Sequence, residues 1–209
     1  MSRPPKPPAA PRLYLVTDRR STAGRDLLDV VAQALQGGVD AVQLREKDLS
    51  TRELCDLARA LNELCKRHGA RLLVNDRIDV ALAVGAGGVH LPAQSFDPRD
   101  ARRLLGAGAW IGCSTHSVDE ARAAAESGAD FVVFGPIFDT PSKRDLGTPL
   151  GLDALSSVCT TLAVPVVAIG GIDTGNIRQV RRHGCSRVAV IRALLEAPDP
   201  AAAAAVLCG

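Results

Sequence analysis

The stretch QGGVDAVQL, residues 36–44, joins the end of a helical pattern to a buried strand. Its two glycines follow a helix, where a left-handed residue commonly ends the helical turn. The apolar run after them is typical of a parallel strand covered on both faces. The same order returns in VGAGGVHLP at 84–92, ESGADFVVF at 126–134 and RHGCSRVAV at 182–190. This weak internal repeat predicts an architecture built from recurring strand–helix units.

Eight short apolar runs predict strands, and patterns of helical spacing lie between them. The predicted strands are Leu13–Thr17, Ala41–Arg45, Arg71–Asn75, Gly88–Leu91, Trp110–Ser114, Phe131–Gly135, Pro165–Ile169 and Arg187–Ile191. Eight strands that alternate with helices predict an α/β fold, a single (β/α)8 TIM barrel over residues 12–209. An open, doubly wound sheet is the alternative. It would more often carry a glycine-rich dinucleotide turn after its first strand, and LYLVTDRRST at 13–22 has none.

Composition excludes several classes of protein. The 209 residues are 46% hydrophobic, and 25 basic against 23 acidic residues leave a net charge of +2, so we expect no nucleic-acid or membrane partner. No stretch is long enough to be a transmembrane helix. The six cysteines lack CxxC spacing, which favours reduced thiols in a cytoplasmic protein. The start, MSRPPKPPAAP, is proline-rich, so we expect residues 1–11 to be a disordered tail.

The predicted strand ends carry most of the polar side chains of interest. In a barrel the carboxyl ends of all strands meet at one face, where the active site lies. These ends supply Thr17, Asp18, Gln43, Arg45, Lys47, Asn75, Asp76, His90, Ser114, His116, Gly170, Gly171, Ile191 and Arg192. A long connection, IFDTPSKRDLGTPL at 137–150, follows the sixth strand and adds Thr140, Ser142 and Lys143. Connections of this length are often functional.

These residue types favour a site for phosphates and a metal. Arg45, Lys47 and Lys143 can meet one highly charged anion, and Asp76 offers the hard oxygen that suits Mg²⁺. The pair at 170–171 follows the seventh strand, where barrels commonly hold a phosphate. Residues 43, 45 and 47 would point to one face if the strand continues through them. No cysteine or serine has an evident set of partners for covalent catalysis.

The sequence resembles the thiamine phosphate synthase (thiamine-phosphate pyrophosphorylase) family and its close relative, the thiazole tautomerase group. The resemblance rests on LYLVTD, QLREK, LLVNDR, GVHL, GCSTHS, GADFVVFGPIFDTPSK, PLGLDAL and AIGGI, which cover nearly the whole chain after the proline-rich start. It implies an enzyme, a transferase acting on small phosphorylated substrates. Members join hydroxymethylpyrimidine diphosphate to thiazole phosphate, release pyrophosphate and need Mg²⁺.

The resemblance also implies a role for each matching residue. The pyrimidine diphosphate would be held by Gln43, Leu44, Arg45, Glu46, Lys47 and Asn75, with Ser114 and Lys143 on its diphosphate. Among these, Arg45, Lys47, Ser114 and Lys143 would be catalytic. The Mg²⁺ positions correspond to Asp76 and Ser95. The thiazole phosphate would be held by Thr140, Pro141, Ser142, Gly171, Ile191 and Arg192.

Two positions depart from the family pattern. Ser95 stands where the family usually has a second metal-binding aspartate, with Asp97 as the nearest carboxylate that could substitute, and Arg192 replaces a phosphate-binding serine. We favour the synthase. A thiazole tautomerase-like isomerase is one alternative, although Pro136 occupies the position of its catalytic histidine. A non-catalytic homologue that binds thiazole or thiamine phosphate in a regulatory role is another. The sequence is compatible with a homo-oligomer but does not require one.

Overall fold

The computed structural model describes residues 10–140 and 148–209. Its strands are β1 Leu13–Val16, β2 Ala41–Leu44, β3 Arg71–Asn75, β4 Gly88–Leu91, β5 Trp110–Thr115, β6 Phe131–Phe134, β7 Val166–Ile169 and β8 Val188–Val190. Its α-helices are α1 Leu27–Gln36, α2 Thr51–Arg67, α3 Ile78–Val84, α4 Pro98–Leu105, α5 Val118–Glu126, α6 Gly151–Thr161, α7 Ile177–Arg182, α8 Arg192–Leu195 and α9 Pro200–Cys208. No predicted strand end differs from the observed one by more than one residue.

The strands close into a parallel barrel in sequence order. Strand β1 pairs with β2 on one side and with β8 on the other, where Leu13 lies beside Val188. The prediction of a single (β/α)8 TIM barrel is therefore confirmed, and the open sheet is excluded. Each repeat of the sequence ends a helix in a glycine of positive φ before the next strand; in the second repeat Gly85 is the left-handed cap of α3.

Side chains alternate between two apolar layers along each strand, as the pleat requires. In β2, Val42 and Leu44 pack in the layer between sheet and helices, whereas Ala41 lies inside the barrel. The interior also holds Tyr14 and Phe131, whose ring centroids are 5.9 Å apart in an edge-to-face arrangement. A chain with only 3% aromatic residues thus places two of them at the centre of the barrel.

The N-terminal segment meets the barrel at Pro11. The carbonyl oxygens of Ala10 and Pro11 accept hydrogen bonds from Nη1 of Arg187, at 3.2 and 3.3 Å, and Pro11 is buried. Residues 1–9, the rest of the predicted tail, lie outside the described residues. Among the helices that the structure describes, none is long and apolar enough to cross a membrane.

Candidate active site

Strand β2 ends at Leu44, one residue earlier than predicted. Gln43 is 3% exposed inside the barrel, and its amide nitrogen donates to the hydroxyl of Tyr14 at 3.2 Å. Arg45 follows the strand, with its backbone N–H donating to Oγ1 of Thr17. Lys47 lies in a turn. The expected single strand face through positions 43, 45 and 47 is therefore wrong beyond Gln43, because strand alternation stops before Arg45.

The acidic residues between these cations are paired with arginines of the connection after β1. Glu46, only 7% exposed, accepts hydrogen bonds from the backbone N–H and the guanidinium of Arg19, both at 3.1 Å. Asp48 accepts from Arg19 at 2.5 Å and from Arg20 at 2.6 Å. The guanidinium of Arg19 holds the pKa of the Asp48 carboxyl well below its usual range.

This pairing decides the local charge. Among the residues that the structure describes, Arg45 and Lys47 form no ion pair, whereas both neighbouring carboxylates are neutralised. The carboxyl end of β2 therefore carries a local excess of positive charge, although the charges of the whole chain nearly balance. The sequence patterns did not predict that Arg19 and Arg20 neutralise these carboxylates, although two adjacent arginines shortly after the first strand were a visible signal.

Asp76 and Ser95, the two positions where the resemblance implied a metal, lie together. The Ser95 hydroxyl donates to Oδ1 of Asp76. Asp76 has φ +64°, and its backbone N–H donates to the carbonyl oxygen of His90 at 2.9 Å. A left-handed aspartate is uncommon and is found often at functional sites. The neighbouring Arg77 pairs with Asp79 rather than with Asp76.

Asp97, the carboxylate suggested as a substitute for the second metal ligand, caps a helix. One of its oxygens caps helix α4 by accepting from the backbone N–H of Arg99 at 2.8 Å. The other accepts from the hydroxyl of Ser127 at 3.3 Å. Both oxygens of Asp97 are thus engaged at the start of α4, which disfavours the suggestion that Asp97 serves as a metal ligand in place of Ser95.

The donors at this point of the mouth fit Mg²⁺. Mg²⁺ commonly takes one or two protein carboxylates and completes its coordination with water and substrate phosphate oxygens. Asp76 supplies one exposed carboxylate and Ser95 a neighbouring hydroxyl. Within 10–140 and 148–209 there is no group of three or more His, Cys, Asp or Glu side chains that could hold a metal alone. A Mg²⁺ ion bound here would therefore take its remaining ligands from water and from substrate phosphates.

Ser114 faces a buried histidine. Its hydroxyl is 2.8 Å from Nε2 of His90, which is 2% exposed and lies against the ring of Tyr14. Ser95 and Ser114 also line one cavity of about 330 Å³ beside the mouth. Nδ1 of His116 is 2.6 Å from the carbonyl oxygen of Gly135. Because a carbonyl only accepts, that nitrogen carries the hydrogen.

The ends of β6, β7 and β8 converge on the other side of the mouth. Arg192, the first residue of α8, donates from Nη2 to the hydroxyl of Thr140 at 3.3 Å. A side chain on Gly171 would place Cβ 2.8 Å from Cβ of Phe138, so this turn lies directly against the connection after β6. The Gly171 carbonyl accepts from the side chain of Asn176 at 2.7 Å. Thr140, Gly171 and Arg192, three of the residues expected at the phosphate, thus lie close together at these strand ends.

The remaining expected site residues are placed as follows. Asn75 ends β3 half-buried, and Ile191 is the half-buried residue before α8. Pro141, Ser142 and Lys143 lie outside the described residues, so their roles stay predictions.

Comparison with known proteins gives one consistent family. A family model described as thiamine monophosphate synthase matches residues 13–194. A protein of Geobacter sulfurreducens is 52% identical over 90% of this chain and 88% of its own length. A thiamine-phosphate synthase of Albidiferax ferrireducens is 49% identical, over 92% of this chain and 88% of its own. The solved thiamine phosphate pyrophosphorylase of Pyrococcus furiosus has a TM-score of 0.84 and 36% identity, covering 93% of this chain and 92% of that one.

The pairing of Asp48 with Arg19 makes stability depend on pH. Because the folded chain lowers the pKa of Asp48, the pair stabilises the fold above the pKa of an unfolded aspartate, about 3.9, and this contribution is lost as pH falls below that value. We expect Asp48→Asn to lower the melting temperature at pH 7, with a difference that shrinks below about pH 4. Thermal unfolding across pH measures it.

Asp56→Asn is the matched control, because Asp56 pairs with Arg59 three residues along an exposed helix. Such pairs contribute little to stability. If Asp48→Asn and Asp56→Asn behave alike at every pH, the arginines after β1 do not hold the carboxylates at the end of β2.

Proposed function

This chain belongs to the thiamine monophosphate synthase family, and we propose that it forms thiamine phosphate from hydroxymethylpyrimidine diphosphate and thiazole phosphate in a Mg²⁺-dependent reaction. It is thus a transferase that acts on small phosphorylated substrates. The observation that carries the mechanism is the positive charge of Arg45 and Lys47 at the end of β2. Neither forms an ion pair within the described part of the chain, because Arg19 and Arg20 pair with the neighbouring carboxylates.

We propose that pyrophosphate departs beside the positively charged carboxyl end of β2. The diphosphate leaves from a benzylic-like carbon, and an electron-rich pyrimidine ring can stabilise the resulting cation. Arg45, Lys47 and Lys143 would neutralise the charge that accumulates on the leaving group. The Ser114 hydroxyl would donate to a diphosphate oxygen, with its orientation set by the buried His90. Gln43 and Asn75 would contact the pyrimidine.

The second substrate needs positioning rather than activation. The thiazole nitrogen is already a nucleophile, so no general base is required to attack the pyrimidine carbon. We assign its phosphate to the convergence of β6, β7 and β8, with Thr140, Ser142, Gly171, Ile191 and Arg192. The hydrogen bond between Arg192 and Thr140 supports this assignment, because it joins two strand ends beside the glycine turn.

We assign Mg²⁺ to Asp76 and Ser95. The ion would shield the negative charge of the diphosphate and polarise it for departure. Asp76 would contribute the carboxylate, and its left-handed backbone fixes the side chain at the rim beside β4. Ser95 would contribute a neutral oxygen in place of a second carboxylate, which should weaken the affinity for the ion.

A cytoplasmic location also belongs to this proposal. All six cysteines are free thiols in the structure, as expected in a reducing compartment. Cell fractionation tests this location.

Removal of one cation should slow the reaction strongly. We expect Lys47→Ala and Lys143→Ala to lower kcat at least about 100-fold, because a lost transition-state donor costs this much. The measurement is pyrophosphate release from both substrates with Mg²⁺. Lys66→Ala is the matched control, since Lys66 pairs with Glu63 on the exposed face of α2, and it should leave kcat unchanged.

Two results would contradict this assignment. Equal activity of the Lys47 and Lys66 variants would remove Lys47 from the leaving-group site. Isomerisation of a carboxythiazole phosphate without any pyrophosphate release would indicate the tautomerase reaction, and binding without turnover would indicate the regulatory homologue.

The metal assignment predicts that Asp76→Asn and Ser95→Asp shift the Mg²⁺ requirement in opposite directions. Asparagine tolerates the left-handed backbone of residue 76, so Asp76→Asn removes charge without backbone strain. We expect it to raise the Mg²⁺ concentration for half-maximal activity at least about tenfold, and Ser95→Asp to lower it. Titration of pyrophosphate release with Mg²⁺ gives both values.

Asp79→Asn serves as the control for Asp76→Asn, because Asp79 pairs with Arg77 nearby. An unchanged Mg²⁺ requirement in Asp76→Asn would show that the ion binds elsewhere. An unchanged requirement in Ser95→Asp would show that position 95 is not a ligand.

Arg192 should contribute mainly to binding of the thiazole phosphate. We expect Arg192→Ser to raise the KM for that substrate about tenfold through loss of a charge-assisted hydrogen bond. The KM for the pyrimidine diphosphate should not change. Arg182→Ser, on the exposed last turn of α7, is the control. A lower KM for thiazole phosphate in Arg192→Ser would mean that the arginine obstructs the site.

A further inference from the structure

Two thiols meet on the face of the barrel opposite the candidate active site. Cys159 lies in the last turn of α6, and Cys185 lies in the connection between α7 and β8. The two thiols lie close enough for each to affect the protonation of the other. The cavity that both cysteines line also includes Val166 and Arg187, so the pair lies near the amino ends of β7 and β8. Residues at this end of a barrel usually serve stability rather than catalysis.

Both cysteines line one cavity of about 280 Å³, together with Pro165 and Arg187. This volume exceeds the share of a water molecule in the liquid several-fold, so a small oxidant such as hydrogen peroxide can enter. Cys185 is 1% exposed, while Cys159 is only half-buried. The sulfur of Cys185 also lies 3.2 Å from the carbonyl oxygen of Arg187. The backbone therefore fixes one sulfur beside the other.

Their closeness makes the two thiols unequal. The interaction between the thiols lowers the pKa of Cys185 and raises the pKa of Cys159, and the positive charge of Arg187 also lowers the pKa of Cys185. The thiolate is the nucleophilic form of cysteine. Cys185 is consequently the thiol that reacts first, and Cys159 is in contact with it as the second.

We propose that Cys159 and Cys185 are a redox-active pair that hydrogen peroxide converts into a reversible disulfide. The Cys185 thiolate attacks one oxygen of the peroxide, an S–O bond forms, the O–O bond breaks, and the released hydroxide takes a proton to become water. The sulfur of Cys159 then attacks the Cys185 sulfenic acid, the S–S bond forms, and a second water leaves with the thiol proton. The two thiols lose two electrons, and one peroxide is reduced.

The other cysteines lack this arrangement. Burial raises the pKa of Cys65 and Cys113 to about 12, which keeps both as unreactive thiols. The Cys208 thiol donates to the carbonyl oxygen of Gly38, as Cys185 does to that of Arg187, but no second thiol affects its protonation. These cysteines are internal references, because they are treated with the same oxidant but do not lie beside a second thiol.

The disulfide would tie α6 to the connection before β8. Such a bond constrains the unfolded chain and so raises the melting temperature. It would leave the cations and Asp76 untouched, because these lie at the opposite ends of the strands. This inference is therefore independent of the proposed reaction, and a failed synthase assay would not affect it.

Peptide mapping of the full chain tests the pair directly. The protein is treated with hydrogen peroxide, remaining thiols are alkylated, and trypsin digestion is followed by mass spectrometry. We expect the tryptic peptides 145–178 and 183–187 to appear joined, with two hydrogens lost, while the other four cysteines are alkylated. Dithiothreitol should separate the peptides, and oxidation should raise the melting temperature.

Single variants distinguish the order of reaction. In Cys159→Ser, dimedone should trap a sulfenic acid at Cys185, and in Cys185→Ser no adduct should form at Cys159. In both variants peroxide should no longer raise the melting temperature, while Cys55→Ser should behave as the unchanged chain. Alkylation of Cys159 and Cys185 to the same extent as Cys55 after peroxide, or their oxidation to sulfinic acids without a cross-link, would overturn the proposal.

Discussion

Closure of the barrel through the pairing of β1 with β8 is the constraint on which the rest of the molecule depends. A parallel sheet in a closed ring has no edge, and every strand ends on the same rim. Residues far apart in the chain therefore become neighbours: Arg192 reaches Thr140, and Ser95 reaches Asp76. The closed sheet also defines the interior of the barrel, where the aromatic ring of Tyr14 lies against the imidazole of His90.

The electrostatics of the mouth depend on which charges of one short segment form ion pairs. Residues 45–48 carry two cations and two carboxylates, and their net charge is zero. The arginines after β1 form ion pairs with the two carboxylates, and Glu46 is buried. A nearly neutral chain can thus present a strong local positive field to a diphosphate without a basic surface elsewhere. The pairing also ties the connections after β1 and β2 together, which holds the cationic segment in place.

The sequence predicted the strands well because parallel strands buried on both faces are continuous apolar runs. It predicted the grouping of the strand ends because a barrel forces that grouping. It failed where a partner lies in another part of the chain. Nothing local in AVQLREKD shows that Glu46 faces Arg19, 27 residues earlier. By contrast, the role of Asp97 was readable, since an aspartate directly before a proline is a common start of a helix.

The two ends of the strands show how function and stability are separated in this fold. At the carboxyl end, Asp76 adopts an unusual backbone conformation, and Arg45 and Lys47 are left without carboxylate partners among the described residues. Both features disfavour the folded chain on its own, and the proposed binding of a diphosphate and Mg²⁺ there would compensate for them. At the amino end, Cys185 is buried and hydrogen-bonded to its neighbours. A covalent change there alters the connection between two strand–helix units, so it can change stability while the rim keeps its arrangement.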